Sequence, residues 1–228
     1  MDYATAMAQL KKMGTAQNIK VYGRHGAGKM LGVSFANIYK LQKQIKKDHV
    51  LAEKLWASGY GEAQVLAALV AEPAQVTSSM ADQWIKTADS YATADYLAGL
   101  VAKTPVAQKK MQQWMKSPKE VYRTAGYHML AVMLRDGAAV SHADCRRILQ
   151  TIEKEIHSSP NRARYAMNSA LISIGSYIPA LTKEALAAAR RIGKVYVDHG
   201  ETSCKTPDAL EMIPKAVAWQ QRKKKKTA

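Results

Sequence analysis

The chain has 228 residues, with 34 Lys plus Arg against 18 Asp plus Glu and a formal net charge of +16 at pH 7, and this length suits one large domain or one short repeat array. Glycine and proline number only 13 and 7, and good helix formers such as Ala, Leu and Lys are abundant, which predicts helices rather than a sheet. No apolar run approaches the ~20 residues that a membrane span needs, and the widely separated Cys145 and Cys204 argue against a zinc site and indicate reduced thiols.

The predicted elements are helices joined by short linkers. The first helix runs from Asp2 to Met13, residues 14–31 form a loop with room for one short helix, and Ser34 caps the helix that follows. The later helices are predicted at His49–Ser58, Glu62–Ala71, Thr77–Ile85, Ser90–Ala102, Val106–Met115, Lys119–Arg135, Ser141–Ile156, Asn161–Tyr177, Thr182–Ile192 and Pro207–Trp219, with Thr77, Ser141 and Thr182 as N-caps.

The spacing of these helices is that of a repeat protein. Helix pairs recur at roughly 35–45 residues, which is the period of HEAT-type arrays. Stacked helix pairs form a curved solenoid with a concave face. We therefore predict an all-α, HEAT-like solenoid with a concave basic face, built as a single domain over residues 1–221. A basic tail at residues 222–228 is expected either to be disordered or to add non-specific affinity for phosphates.

The cations flank a less basic middle segment. Residues 1–60 hold ten cations and three acids, residues 61–105 two cations and five acids, and residues 106–165 eleven cations and five acids. Without the five cations Arg222–Lys226 the net charge is still +11, so the basic charge does not come from the tail alone. A basic body of this kind suits a polyanion such as DNA, although net charge also serves solubility.

The segment Gly23–Lys29 has the glycines and the lysine of a phosphate-binding loop but not its context. Met30 stands where a Ser or Thr should reach the metal, and the chain shows no sheet to place the loop after a strand. Two interpretations remain: a flexible glycine loop, or a loop in which Arg24, His25 and Lys29 touch a phosphate backbone that glycine allows to come close. No nucleotide cofactor is expected.

Several segments, in order along the chain, carry a resemblance to a known family. They are Leu31–Phe35, Leu55–Gly59, Glu62–Pro73, Trp84 with Asp89–Asp95, Trp114 with Ser117–Pro118, and Val121–Ala125. From about residue 30 the chain resembles the AlkD-like DNA alkylation repair proteins. Those proteins share the Leu-Gly-Val segment, and they carry an aromatic residue four positions before a catalytic aspartate.

The resemblance implies a HEAT-like solenoid that grips double-stranded DNA and, in active members, glycosylase activity on N3- and N7-alkylated purines. It implies Asp95 as the catalytic carboxylate, Tyr91 as the neighbouring aromatic residue and Arg123 as a clamp on a backbone phosphate. A carboxylate near the sugar can stabilise oxocarbenium-like charge, and an aromatic face can contact a cationic lesion. No metal or organic cofactor is implied.

Two departures from the family leave catalysis open. The family commonly has Trp where this chain has Tyr91, and Ile172 occupies the position of a second active-site Trp. A single helical Asp is usually exposed or salt-bridged, and Arg123 could instead pair with Glu120 at i,i+3. The alternatives to a glycosylase are a non-catalytic HEAT-like module for damaged or branched DNA and a protein-binding helical scaffold.

Further cations are candidates for phosphate contacts, with a solvated outer face as the alternative for each. Three of them, Lys40, Lys43 and Lys47, are predicted to share one helical stripe. The others are Arg146, Arg147, Arg162, Arg164, Arg190 and Arg191. The polar loop Val197–Pro207 is interpreted as a turn before a helix rather than as a site. We expect a monomeric, cytoplasmic protein that does not associate with membranes.

Overall fold

The computed structural model describes residues 1–24, 28–88 and 90–227, the last four of these by backbone alone. Parts of two predicted motifs, the glycine loop and the segment before the candidate aspartate, therefore lie outside the described residues. The residues concerned are His25, Gly26, Ala27 and Asp89.

The described residues form thirteen α-helices and three short 3-10 helices, and their β pairing is one isolated bridge between Gly14 and Val33. The prediction of an all-α fold is therefore confirmed. The α-helices are α1 (Tyr3–Met13), α2 (Ala16–Gly23), α3 (Phe35–Ile45), α4 (His49–Ala57), α5 (Gly61–Val70), α6 (Ser78–Lys86), α7 (Tyr91–Val101), α8 (Ala107–Met115), α9 (Glu120–Arg135), α10 (His142–Glu155), α11 (Asn161–Tyr177), α12 (Thr182–Ile192) and α13 (Ala209–Thr227).

Helix starts follow the local capping chemistry in all but one of the predicted cases. The side chains of Ser34, Thr77 and Ser141 each accept a hydrogen bond from the backbone N–H three residues on, as N-caps do. Thr182 is different, because it lies inside α12 and its hydroxyl donates to the Gly175 carbonyl at 2.8 Å. A preceding 3-10 turn begins the helix there, so the prediction of Thr182 as a cap is wrong.

The chain divides into two compact units, which are described separately. The first comprises residues 1–110 and 200–202, and the second comprises residues 111–199 and 203–228. In the first unit α5 is the central helix, with Ala63, Leu66 and Val70 fully buried against α4 and α7. The prediction of one domain over residues 1–221 stays a prediction.

In the second unit α9 packs along α11 at its centre. Gly126 lets α9 pack closely against the end of α8, because a Cβ at this position would lie 2.5 Å from the backbone nitrogen of Met115. The last helix, α13, continues to Thr227 and so includes most of the segment predicted as a separate tail. Among the described helices, none is both long enough and apolar enough to cross a bilayer.

Candidate nucleic-acid interface

The candidate catalytic pair lies at the start of α7 in the first unit. Ser90 caps this helix by accepting a hydrogen bond from the Thr93 backbone N–H at 3.2 Å. Tyr91 is the first helical residue and is 37% exposed, and Asp95 follows four residues later with a partly exposed side chain. The i,i+4 spacing puts the phenol ring and the carboxylate on one face of the helix. A ligand in solvent can therefore reach both groups.

Next to Asp95 lies a group of four rings that we call the aromatic cluster: Tyr22, Phe35, Tyr39 and Tyr96. Phe35 stacks on Tyr96 with ring centroids 5.7 Å apart and planes at 16°, and Tyr22 tilts against Phe35 at 6.0 Å. The hydroxyls of Tyr39 and Tyr96 are 2.6 Å apart, at hydrogen-bond distance. Burial, followed by this hydrogen bond, raises the pKa of Tyr96 well above its usual value, so its phenol stays protonated at neutral pH.

A buried carboxylate holds the segment that leads into α3. Glu62 accepts hydrogen bonds from three consecutive backbone N–H groups, those of Leu31, Gly32 and Val33, at 2.9, 2.6 and 3.1 Å. Gly32 has a φ of +77°, and a Cβ there would lie 2.4 Å from the Thr15 carbonyl oxygen, so only glycine fits. The carboxylate of Glu62 therefore fixes the Leu-Gly-Val segment and, with it, the place where α3 begins.

The lysines of the first unit fall into two groups with different surroundings. Lys40 and Lys43 are exposed on α3. Lys47 lies beyond the end of α3, and its ammonium donates to the carbonyls of Leu69 and Ala71 at 3.0 and 2.8 Å. Burial lowers the pKa of Lys47. The predicted three-lysine stripe is therefore wrong in its last member, which caps the C-terminus of α5.

The described ends of the glycine loop are also anchored differently from those of a phosphate-binding loop. Its first residue, Gly23, ends helix α2 rather than a strand, and Arg24 is exposed at that helix end. Lys29 donates to the Ser58 carbonyl at 3.1 Å, and its ammonium lies 4.0 Å from the centre of the Tyr60 ring. Lys29 thus joins the loop to the α4–α5 turn.

In the second unit, Arg123 lines a cavity of about 580 Å³ together with Lys116, Tyr127 and Arg147. Its guanidinium is engaged in an ion pair with Glu155, not with Glu120 as the alternative from sequence suggested. The Arg123 side chain is only 16% exposed, and its Nε lacks a hydrogen-bond partner. The arginine therefore lines a cavity that holds three cations and two carboxylates, and it is already paired with one of those carboxylates.

The remaining candidate cations of this unit have mostly structural contacts. Arg164 donates to the Tyr196 carbonyl at 2.7 Å and to the Ser159 carbonyl at 3.1 Å, which ties α11 to the loop after α12. Arg162 is half-buried, and its backbone N–H donates to Glu120 at 2.6 Å. Three more of the arginines predicted to contact phosphates form ion pairs at the surface: Arg146 with Glu184, Arg147 with Asp144, and Arg191 with Glu153.

The polar loop that follows α12 lines a second cavity of about 680 Å³ in the same unit. His199 lies edge-on to Tyr165, and its Nε2 is 3.0 Å from the Thr206 hydroxyl. Asn168 of α11 donates to the Pro207 carbonyl at 2.8 Å from a buried position. No group of three His, Cys, Asp or Glu suited to a metal occurs among the described residues. These contacts fit the interpretation of the loop as a structured turn before α13.

A family model described as "DNA alkylation repair enzyme" matches residues 5–213. The chain belongs to the DNA alkylation repair enzyme family. Two similar proteins are Lin0241 of Listeria innocua and Lmo0209 of Listeria monocytogenes, both described as uncharacterized. Each is 27% identical over 215 residues, which cover 91% of this chain and 94% of the relative.

A solved structure superposes on nearly the whole of this family member. It has a TM-score of 0.88 and 28% identity, and it covers 96% of this chain and 95% of its own. It is described as "a new family of proteins related to the HEAT-like repeat DNA glycosylases with affinity for branched DNA structures". The HEAT-like fold predicted from the helix spacing is thereby confirmed.

Three features of this DNA alkylation repair family member escaped the sequence reasoning. Glu155 could not be assigned to Arg123, because the two are 32 positions apart. The sequence also did not reveal that Glu62 binds the backbone of residues 31–33, because these partners lie about thirty positions earlier in the chain. Glu62 is buried in the first turn of α5. The aromatic cluster had one visible signal, since Phe35 and Tyr39 are four residues apart and share a helix face.

Proposed function

We propose that the protein binds DNA and prefers branched DNA to an uninterrupted duplex. The observation that carries the proposal is the match over almost the whole chain to a structure described as having affinity for branched DNA. The net charge of +16 supports it, because a basic surface draws a polyanion from solution. Exposed Arg24, Lys40 and Lys43 are the candidate phosphate contacts of the first unit.

Arg123 is the candidate phosphate contact of the second unit. Its ion pair with Glu155 has to open or be shared before a phosphate can take the guanidinium, and both Lys116 and Arg147 line the same cavity. Arginine suits this role because its planar guanidinium can bind two phosphate oxygens at once. Arg162 and Arg164 are weaker candidates for phosphate contacts, because they already contact Glu120 and the loop after α12.

Fluorescence anisotropy with two labelled DNAs of equal strand length and composition tests the proposal. One is a three-way junction and the other is a linear duplex, each titrated at several salt concentrations. We expect tighter binding to the junction and a steep loss of affinity with salt for both DNAs, because phosphate contacts release counterions. Equal affinity for the two DNAs, or no binding at low salt, contradicts the proposal.

A second candidate function is excision of alkylated purines, and the arrangement of Tyr91 and Asp95 favours it. Both side chains reach solvent on one face of α7. An N3- or N7-alkylated purine carries positive charge and leaves its sugar readily, so a carboxylate that stabilises oxocarbenium-like charge would suffice for catalysis. Tyr91 and the partly buried Ile172 supply less aromatic surface than two tryptophans would, which is why we rank binding first.

Release of free base from DNA that contains 7-methylguanine tests this second function. If the protein is a glycosylase, it releases 7-methylguanine, and Asp95→Asn abolishes release while leaving DNA affinity in place. Asp136→Asn removes a carboxylate far from the candidate pair in sequence and serves as the control. Wild-type release no faster than the rate without protein rules out the excision function and leaves the binding proposal untouched.

A further inference from the structure

One face of α3 presents two aromatic rings and a cation to solvent. Phe35, Tyr39 and Lys43 follow one another at i, i+4 and i+8, so they lie along one face of the helix. Phe35 is 37% exposed and Tyr39 is 41% exposed. The opposite side of the helix is occupied by Ile38 and Leu41, which are buried in the core. The contacts of α3 with the core are therefore made by residues other than the two exposed rings.

The two rings are fixed from behind rather than loose. Phe35 stacks on Tyr96, and the Tyr39 hydroxyl is at hydrogen-bond distance from the Tyr96 hydroxyl. Tyr22 supports the edge of this group, and its own hydroxyl donates to the Val33 carbonyl at 3.2 Å. Rings held in this way lose little conformational entropy when a flat ligand stacks on them, which favours binding.

The charge around the rings indicates the kind of ligand. Lys43 lies one helical turn beyond Tyr39, and Lys40 directly follows Tyr39 in the sequence. Helix α3 contains no acidic residue that could pair with either lysine within the helix. Flat rings flanked by cations match a strand of nucleotides, in which bases alternate with phosphates. A basic protein partner would be repelled by the same lysines.

We propose that this face of α3 binds the unpaired nucleotides at a DNA branch point, with bases stacking on Phe35 and Tyr39 and a phosphate bound by Lys43. The inference rests on the proposed preference for branched DNA and supplies a cause for it. Bases inside an intact duplex are stacked on their neighbours and expose only their edges, whereas unpaired bases expose a whole face. Stacking is tolerant of sequence, so the preference is for structure rather than for a base order.

The test uses two three-way junctions, one fully paired and one with two unpaired nucleotides at the branch, of which one is 2-aminopurine. Stacking on Phe35 or Tyr39 changes the 2-aminopurine fluorescence when the protein binds, and anisotropy gives the affinity. We expect the wild type to prefer the junction with unpaired nucleotides. Tyr39→Leu should lose about tenfold in affinity for it together with the fluorescence change, while binding to a linear duplex stays the same.

Three further variants make the result specific. Tyr39→Phe keeps the ring but removes the hydroxyl that meets Tyr96, so it should bind as the wild type does if the ring is what matters. Lys43→Gln should weaken binding and lower the salt dependence by about one ion. Tyr196→Leu removes a ring that is 71% exposed in the other unit and is the matched control, which should change nothing.

The outcomes separate this inference from the proposed function. If the wild type does not prefer either junction over a linear duplex, the proposed function fails. If it prefers junctions but Tyr39→Leu and Phe35→Leu bind as the wild type does with an unaltered 2-aminopurine signal, only the α3 inference is overturned. Loss of binding in both Tyr39→Leu and Tyr39→Phe indicates a structural role for the hydroxyl and also overturns it.

Discussion

Arg123, which the family resemblance assigns to a backbone phosphate, already forms an ion pair with a carboxylate from another helix. Glu155 ends α10 and pairs with Arg123 of α9, and both side chains line the same cavity. The ion pair competes with a phosphate for one guanidinium, so DNA binding there has to compensate for its loss. Glu155 should therefore set how strongly this cavity contributes to DNA affinity.

Replacing Glu155 by Gln tests that competition. The variant should bind DNA about threefold more tightly, with a salt dependence increased by about one ion, because Arg123 becomes available for a phosphate. Glu153→Gln removes an equal charge from the same helix, where the acid pairs with exposed Arg191 at 2.5 Å. An equal gain in both variants, measured by anisotropy, would attribute the effect to net charge and not to Arg123.

Glu62 illustrates a residue whose importance is structural. Its carboxylate accepts from three backbone N–H groups in a buried position, and a Gln there can no longer accept as an anion. Glu62→Gln should lower the free energy of unfolding by about 2–3 kcal/mol, as measured by urea denaturation. Exposed Glu53 of α4 provides the control, and Glu53→Gln should have almost no effect. Comparable stability of the two variants would contradict the assigned role.

At the scale of the helices, boundaries were predictable where the signal is local. Ser34, Thr77 and Ser141 act on the next three residues of the chain, so the sequence shows both partners of each capping bond. Lys47 was misplaced because its partners, the last carbonyls of α5, lie more than twenty residues away. The pair Tyr91 and Asp95 was assigned from the family resemblance, and its role stays a prediction.

Two helix glycines with opposite surroundings give a prediction about packing. Gly126 of α9 faces the backbone of α8, so Gly126→Ala forces the two helices apart and should cost about 1–3 kcal/mol of stability. Gly99 of α7 has no atom within 4 Å of an added Cβ, so Gly99→Ala should stabilise by about 0.5–1 kcal/mol through helix propensity. Thermal unfolding of the two variants gives the signs, and a stabilising Gly126→Ala would refute the close approach.

For the molecule as a whole, a net charge of +16 overstates the cations that are open to DNA. Between α10 and α12, Arg146 pairs with Glu184 and Arg191 pairs with Glu153. These exposed pairs add little stability, but each reduces the pull of an arginine on a phosphate. The charge count predicted a polyanion partner, and only the contacts show that several of the arginines in the count are already paired.

The five cations Arg222–Lys226 carry nearly a third of the net charge of +16. Replacing all five by Gln lowers the net charge from +16 to +11 and keeps the chain length. Because a run of cations contacts phosphates without reading structure, we expect affinity to fall by the same factor for a junction and a linear duplex. The slope of log affinity against log salt should decrease by at most about 4.5.

The matched comparison is the double variant Lys40→Gln and Lys43→Gln on α3. These lysines flank the exposed aromatic rings, so their loss should lower affinity for the junction with unpaired nucleotides more than for the linear duplex. The tail variant should keep the wild-type ratio of the two affinities, and the α3 variant should reduce that ratio. The reverse pattern would mean that branch recognition comes from the C-terminal cations, because only a group near the branch can distinguish the two DNAs.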